Sequence, residues 1–282
     1  MSYQISSTKF DDSGISGLLK VLTEYFQKQE IPFYVVGAMA RDIVLGQIYA
    51  RKSRRRTNDL DIAIMIRDWD VFDKVAIGLT SMPGFTRSKT QKQRFHYNDS
   101  LVLDVIPFGE IAKFDRNIYW PPDEKPAMSV SGFSEMAMAA LTVTVDGEYT
   151  FSVASLPGIF ILKLVAWRDR GISTNKDADD IAYLIDEYYE VNLERCVKEH
   201  SDIYNRADFN TFVAGAILMA RDIKRLLASN PGMIEELSKI IADETREEEG
   251  SLLINQILEA RPGLKYEEVY EALDAICNEM RK

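Results

Sequence analysis

The heptapeptide Asn58-Asp59-Leu60-Asp61-Ile62-Ala63-Ile64 alternates acidic and aliphatic residues at its start and becomes apolar towards its end. A strand turns successive side chains to opposite faces. Asp59 and Asp61 therefore share one face, while Leu60, Ile62 and Ile64 share the other. Two carboxylates this close each raise the cost of ionising the other unless a cation lies between them. Mg²⁺ prefers carboxylate oxygens completed by the phosphate oxygens of a substrate. An Asp-x-Asp at a strand start is also a common cap or solvated edge, so its surroundings decide between the two readings.

Working outward, Asp104 stands alone in Leu101-Val102-Leu103-Asp104-Val105-Ile106. A carboxylate among apolar strand neighbours needs a partner or becomes neutral, because an unpaired buried charge costs several kcal/mol. An arginine is the ordinary partner. The alternative is the same metal pair as Asp59 and Asp61, where two ions activate an attacking oxygen and neutralise an α-phosphate and its leaving pyrophosphate. On that second reading a metal-free Asp104 is expected to be partly protonated, and Asp104→Asn to stabilise the metal-free protein.

Upstream, Val35-Val36-Gly37-Ala38-Met39-Ala40-Arg41-Asp42 places a glycine between a strand and a helix start, where unpaired backbone N–H groups favour phosphate. Glycine also serves such turns for backbone reasons alone. Arg41 either grips a phosphate with its planar fork or pairs with Asp42 or Asp61 as support.

A coarse pass predicts a helix from about Ser13 to Lys28, a strand Ile31 to Val36, a helix Ala38 to Leu45 stopped by Gly46, and a strand Leu60 to Ile66. An Asp-capped helix Asp68 to Leu79 follows, then strands near Arg94 to Tyr97 and Leu101 to Ile106. Asp146-Gly147 closes a hairpin. From Ser155 the spacing is helical, with segments at Pro157–Arg168, Lys176–Tyr188, Phe209–Leu227, Ile234–Ala242, Leu252–Leu258 and Tyr266–Met280. The expected fold is an α/β (α+β) domain with a mixed sheet over residues 1–154, followed by an all-α domain over residues 155–282.

At 282 residues the chain is long enough for two domains, each with its own core. Cys196 and Cys277 lack metal or redox spacing, and with only His96 and His200 a histidine triad or zinc site is disfavoured. Acids must carry any chemistry. No signal-peptide pattern or membrane-length apolar run is present, so a cytoplasmic protein without membrane attachment is expected. A net charge of −10 opposes general attraction to nucleic acid, although Arg51, Lys52, Arg54, Arg55 and Arg56 form a local basic stretch beside the acidic motif.

Taken together, the block Gly37-Ala38, Arg41-Asp42 and Leu45-Gly46, then Asp59-Leu60-Asp61-Ile62, then Asp104 resemble the polymerase-β-like nucleotidyltransferase superfamily, and the Gly37–Gly46 block and Asp59-Leu60-Asp61-Ile62 look like those of tRNA nucleotidyltransferases. Ser155-Leu156-Pro157, the run Leu162-Lys163-Leu164-Val165-Ala166-Trp167-Arg168-Asp169-Arg170, Lys176-Asp177 and Asp180-Ile181 add a similarity to the AbiEii/AbiGii nucleotidyltransferase toxins of type IV toxin–antitoxin systems. It covers roughly Pro32 to Leu184. The resemblance implies transfer of NMP from an NTP to an acceptor hydroxyl on tRNA, protein or a small molecule, with pyrophosphate released. It also implies Mg²⁺ or Mn²⁺ on Asp59 and Asp61 with Asp104 as third acid, nucleotide contacts from Gly37, Ala38, Arg41, Lys163 and Asp180, a helical domain closing the nucleotide cleft, and a cognate antitoxin. Ala38 departs from the family's Gly-Gly or Gly-Ser turn and removes a hydroxyl. The alternative is a nucleotide-binding module of the same fold that lost turnover and acts through a partner.

Lys163 lies in a helix apolar on almost every face, Ile159-Phe160-Ile161-Leu162-Lys163-Leu164-Val165-Ala166-Trp167. Its head must reach water or meet an anion. A phosphate as that anion would let Lys163→Met weaken nucleotide binding with little loss of stability.

Overall fold

The computed structural model describes residues 2–10, 13–51, 59–125, 127–206 and 208–282. Of the basic stretch only Arg51 is among them; Lys52, Arg54, Arg55 and Arg56 lie outside the described residues. The chain divides into two compact units, Met1–Ser155 and Leu156–Lys282.

The first unit is mixed α/β. Its sheet contains β1 (Ser2–Ile5), β2 (Phe33–Val36), β3 (Asp59–Met65), β4 (Phe85–Arg87), β5 (Arg94–Tyr97), β6 (Leu101–Phe108), β9 (Leu141–Val145) and β10 (Tyr149–Val153); β7 (Asn117–Tyr119) and β8 (Ala127–Ser129) form a separate antiparallel pair. The eight strands run in the order β1-β9-β10-β2-β3-β6-β5-β4. β2 and β3 are antiparallel, β3 and β6 parallel, β6 and β5 antiparallel. Sheet and helices meet over an aliphatic core. In α1 (Ser13–Lys28), Ile15, Leu18, Leu19, Leu22 and Phe26 are buried at helical spacing, and Leu60, Ile62 and Ile64 form the buried side of β3.

Local chemistry explains several boundaries. α3 (Trp69–Thr80) starts where Asp68 Oδ1 accepts from Val71 N at 2.9 Å. The β9–β10 turn places Asp146 and Gly147 at φ of 50° and 73°, and Glu148 N donates to Val145 O at 2.9 Å to close it before Val145 pairs with Tyr149. The helix after Gly37 departs from expectation. α2 (Gly37–Asp42) does not stop at Gly46 but continues as a π-helical turn, Ile43–Ile48, which ends with Tyr49 N donating to Val44 O at 3.1 Å. A wider turn absorbs the glycine without ending the helix. α4 (Phe133–Met138) completes the first unit.

From Leu156 onward the described elements are helical: α5 (Leu156–Arg170), α6 (Lys176–Val191), α7 (Leu193–Glu199), α8 (Thr211–Leu226), α9 (Pro231–Arg246), α10 (Leu252–Ala260) and α11 (Tyr266–Arg281), with short 3₁₀ turns between. Asn210 and Asn230 cap α8 and α9 by accepting from backbone N–H groups, and Pro231 occupies the start of α9 where its missing N–H is harmless. α5 packs on α6, α8 and α9, which buries Ile159, Phe160, Ile161, Leu164 and Trp167. None of the helices among the described residues is long and apolar enough to cross a membrane.

Candidate active site

Cross-strand register gathers the acids. On β3, Asp61 is opposite Val36 of β2 on one side and Asp104 of β6 on the other, and Asp104 is in turn opposite Arg94 of β5. Residues in register point to the same face, so Asp61, Asp104 and Arg94 form one row across three strands. Asp59, two residues earlier on β3, shares that face and is exposed, whereas Asp61 and Asp104 are half-buried.

The turn after β2 meets this row directly. Gly37 has φ of +68°, and a Cβ built on it would lie 2.2 Å from Asp61 Oδ2. Glycine is required here twice over, for the left-handed backbone and for the approach of the carboxylate. Ala38 follows, half-buried, and Val36, at the N-cap of α2, makes no side-chain capping hydrogen bond. Arg41 is buried at 4 % exposure, with Nε and Nη2 donating to Asp42 Oδ1 at 3.0 and 2.8 Å.

Asp104 has the ordinary partner. Arg94 Nε donates to Oδ1 at 2.8 Å and Nη2 to Oδ2 at 2.6 Å, a two-pronged contact that engages both carboxylate oxygens. This corrects the expectation that Asp104 has no partner in the metal-free protein. A charge-assisted partner is already built in, and its removal should destabilise. The Arg94 guanidinium is held above its usual value first by the hydrogen bonds to Asp104, against the opposing effect of burial, with the charges of Asp104, Asp59 and Asp61 adding to it. All three acids thus act electrostatically on one cation. Sequence reasoning placed Arg94 on a strand but gave it no role. The signal was present: a lone acid in an apolar strand calls for a cation, and Arg94 opens the strand just before it.

The fit of a divalent ion can be judged from these donors. Asp59 and Asp61 offer hard oxygen ligands on one face, and an Mg²⁺ site needs only one or two carboxylates beside substrate phosphates and water. Among the described residues no group of three or more His, Cys, Asp or Glu is gathered as a ready metal cage. Asp104 is turned to Arg94 instead. The pair Asp59 and Asp61 fits the ion; Asp104 would have to share its oxygens.

Lys163 and Asp180 belong to the second unit, where they pair with each other. Lys163 Nζ lies 2.6 Å from Asp180 Oδ2 and 3.1 Å from Asp177 Oδ1, and Arg170 Nε is 2.6 Å from Asp177 Oδ2. The anion that the apolar helix demanded is supplied by α6. Burial pushes the Lys163 ammonium down, and Asp180 and Asp177 more than offset it, so the net shift is upward. Burial likewise raises Asp177, and Arg170 with Lys163 outweigh it, leaving Asp177 below the usual carboxylate range.

No protein-family model and no curated protein matches the chain. Among solved structures it is similar to a CCA-adding enzyme in complex with CTP, with 11% identity, coverage of 94% of this chain and 80% of that one, and a TM-score of 0.26. It is also similar to a tRNA-processing enzyme in an apo form, with 15% identity, coverage of 94% and 74%, and a TM-score of 0.26. Superpositions this loose transfer neither fold nor function to the chain.

Proposed function

We propose that the chain is a metal-dependent nucleotidyltransferase whose centre is the acidic face of β3 and β6. The observation that carries this reading is the register of Asp61 with Asp104 on neighbouring parallel strands, with Asp59 on the same face and the Gly37 turn laid against the Asp61 carboxylate. Asp59 and Asp61 would hold Mg²⁺ or Mn²⁺. Such an ion, when bound, supplies charge neutralisation at a triphosphate and its leaving pyrophosphate.

The residues of the chain do the rest. The Gly37–Ala38 turn lies against the Asp61 carboxylate, and its backbone N–H groups are the donors that this reading offers to phosphate oxygens. Asp104 takes the proton of the acceptor hydroxyl as its oxygen bonds to the α-phosphorus and the bond to the β-phosphate oxygen breaks, releasing pyrophosphate. The sequence resemblance alone nominates tRNA, protein or a small molecule as acceptor, and a toxin role with a cognate antitoxin. Lys163 and Asp180 are nucleotide contacts on the same ground. To meet a phosphate, Lys163 would have to leave one of its two carboxylates.

Incubation with NTPs labelled at the α-phosphate, Mg²⁺ and cell extract tests the reading. Wild type is expected to yield a labelled macromolecule or small product together with pyrophosphate, and Asp61→Asn neither. Tight NTP binding by wild type without any labelled product contradicts transfer and leaves an inactive binding module.

A further inference from the structure

The row Asp61, Asp104, Arg94 sets two cations in competition for one acid. Arg94 stands one strand beyond Asp104, on the side away from Asp61, and its fork engages both Asp104 oxygens at 2.8 and 2.6 Å. The pair is sheltered, with side-chain exposures of 29% for Arg94 and 13% for Asp104, so solvent screens it less than a surface ion pair. On this face the charges of Asp104, Asp59 and Asp61 all act on the Arg94 guanidinium. Asp104, between Asp61 and Arg94 in the row, is the acid held by the Arg94 fork.

We infer that Arg94 is a built-in competitor for the metal: it holds Asp104 in the metal-free protein and must give up one of the two oxygens before Asp104 can serve a divalent ion. This rests on the metal site proposed above. Each carboxylate oxygen has lone pairs enough for more than one partner, so Asp104 can keep one N–H bond while turning its other oxygen to the ion. The exchange loses one charge-assisted hydrogen bond and brings a guanidinium towards a like-charged ion. Both effects weaken metal binding. Arg94 is therefore a positioning residue that sets metal affinity and holds the Asp104 carboxylate in place when no ion is present. Sequence spacing alone does not reveal this, because the competition arises from register across β3, β6 and β5.

Mn²⁺ binding without nucleotide, read from the electron paramagnetic resonance signal of the free ion, tests the inference on the full chain. Wild type is expected to bind, and Asp61→Asn to lose binding. Arg94→Gln should bind Mn²⁺ about tenfold more tightly than wild type, the size expected for releasing one charge-assisted hydrogen bond. Its melting temperature should be lower without metal and rise more on adding Mn²⁺. Arg94→Lys, which keeps the charge but not the fork, should fall between the two and serves if Arg94→Gln does not fold. Equal or weaker Mn²⁺ affinity in the Arg94 variants, with wild type binding and Asp61→Asn not, overturns the inference and leaves the metal site standing. Absence of Mn²⁺ binding in wild type and in the Arg94 variants overturns both.

Discussion

Gly37 and Asp61 are in such close approach that a single added methyl group at Gly37 would lie 2.2 Å from the Asp61 carboxylate oxygen Oδ2. The turn after β2 and the second acid of β3 are thus one structural unit. A non-glycine residue held at a φ of +68° also bears left-handed strain. Gly37→Ala is expected to lose roughly 1–3 kcal/mol of stability and to displace Asp61. Urea unfolding measures the first effect. Mn²⁺ affinity measures the second and should fall even at temperatures where the variant is fully folded.

Asp104→Asn is expected to destabilise the metal-free protein, because it converts a two-pronged charge-assisted contact into a weaker one and leaves Arg94 without its counter-charge. A loss of about 1–3 kcal/mol follows from the usual size of hydrogen bonds to charged groups. Thermal unfolding in EDTA checks it. A higher melting temperature in the variant would show that the acid is strained and not supported by Arg94.

In the second unit, Lys163→Met removes the cation shared by Asp177 and Asp180, whose side chains are almost wholly buried. Breaking a buried pair from one side costs about 3–5 kcal/mol, so a large fall in stability is expected. The helix around Lys163 suggests a harmless swap, and its two carboxylate partners make it a costly one. Unfolding of Lys163→Met beside Lys163→Arg, which keeps the charge, separates packing from electrostatics.

His200 gives a pH dependence. Its pKa is lowered by burial first, then by Arg221 and Arg195; Nδ1 lies 3.0 Å from Arg221 Nη1, and Nε2 is buried without a hydrogen-bond partner among the described residues. With the folded value below the unfolded one, the unfolded chain binds the proton more readily. The contribution of His200 is therefore complete above about pH 6.5 and lost as pH falls through the depressed folded value. Between about pH 7.5 and pH 5, wild type should lose more thermal stability than His200→Asn, which keeps an acceptor near Arg221. Parallel slopes for the two proteins would contradict this.

What could be read before the structure was local. The apolar spacing of Ile15, Leu18, Leu19, Leu22 and Phe26 marks α1, Asp68 marks the start of α3, and Asp146-Gly147 marks the β9–β10 turn, because periodicity and caps are written within a few residues. The shared face of Asp59 and Asp61 follows from the same rule. That β6 lies beside β3 in the register Asp61 to Asp104 depends on strand pairing between distant segments, whereas the contact of Arg94 with Asp104 on the other side depends on the register of the adjacent strands β5 and β6. The contacts of Lys163 with Asp177 and Asp180 depend on how α6 folds back on α5. Register and helix packing are tertiary facts, and they turned two acids that looked available into acids with partners. β1 escaped notice for the same reason: its four residues pair with β9 far along the chain.

Anomalous scattering from crystals grown with MnCl₂ and an NTP whose α–β bond resists cleavage tests the central claim most directly. A manganese peak coordinated by the carboxylates of Asp59 and Asp61 and by phosphate oxygens of the nucleotide is expected. Nucleotide bound with no manganese at these two residues, or manganese only at other acids of the chain, would contradict it.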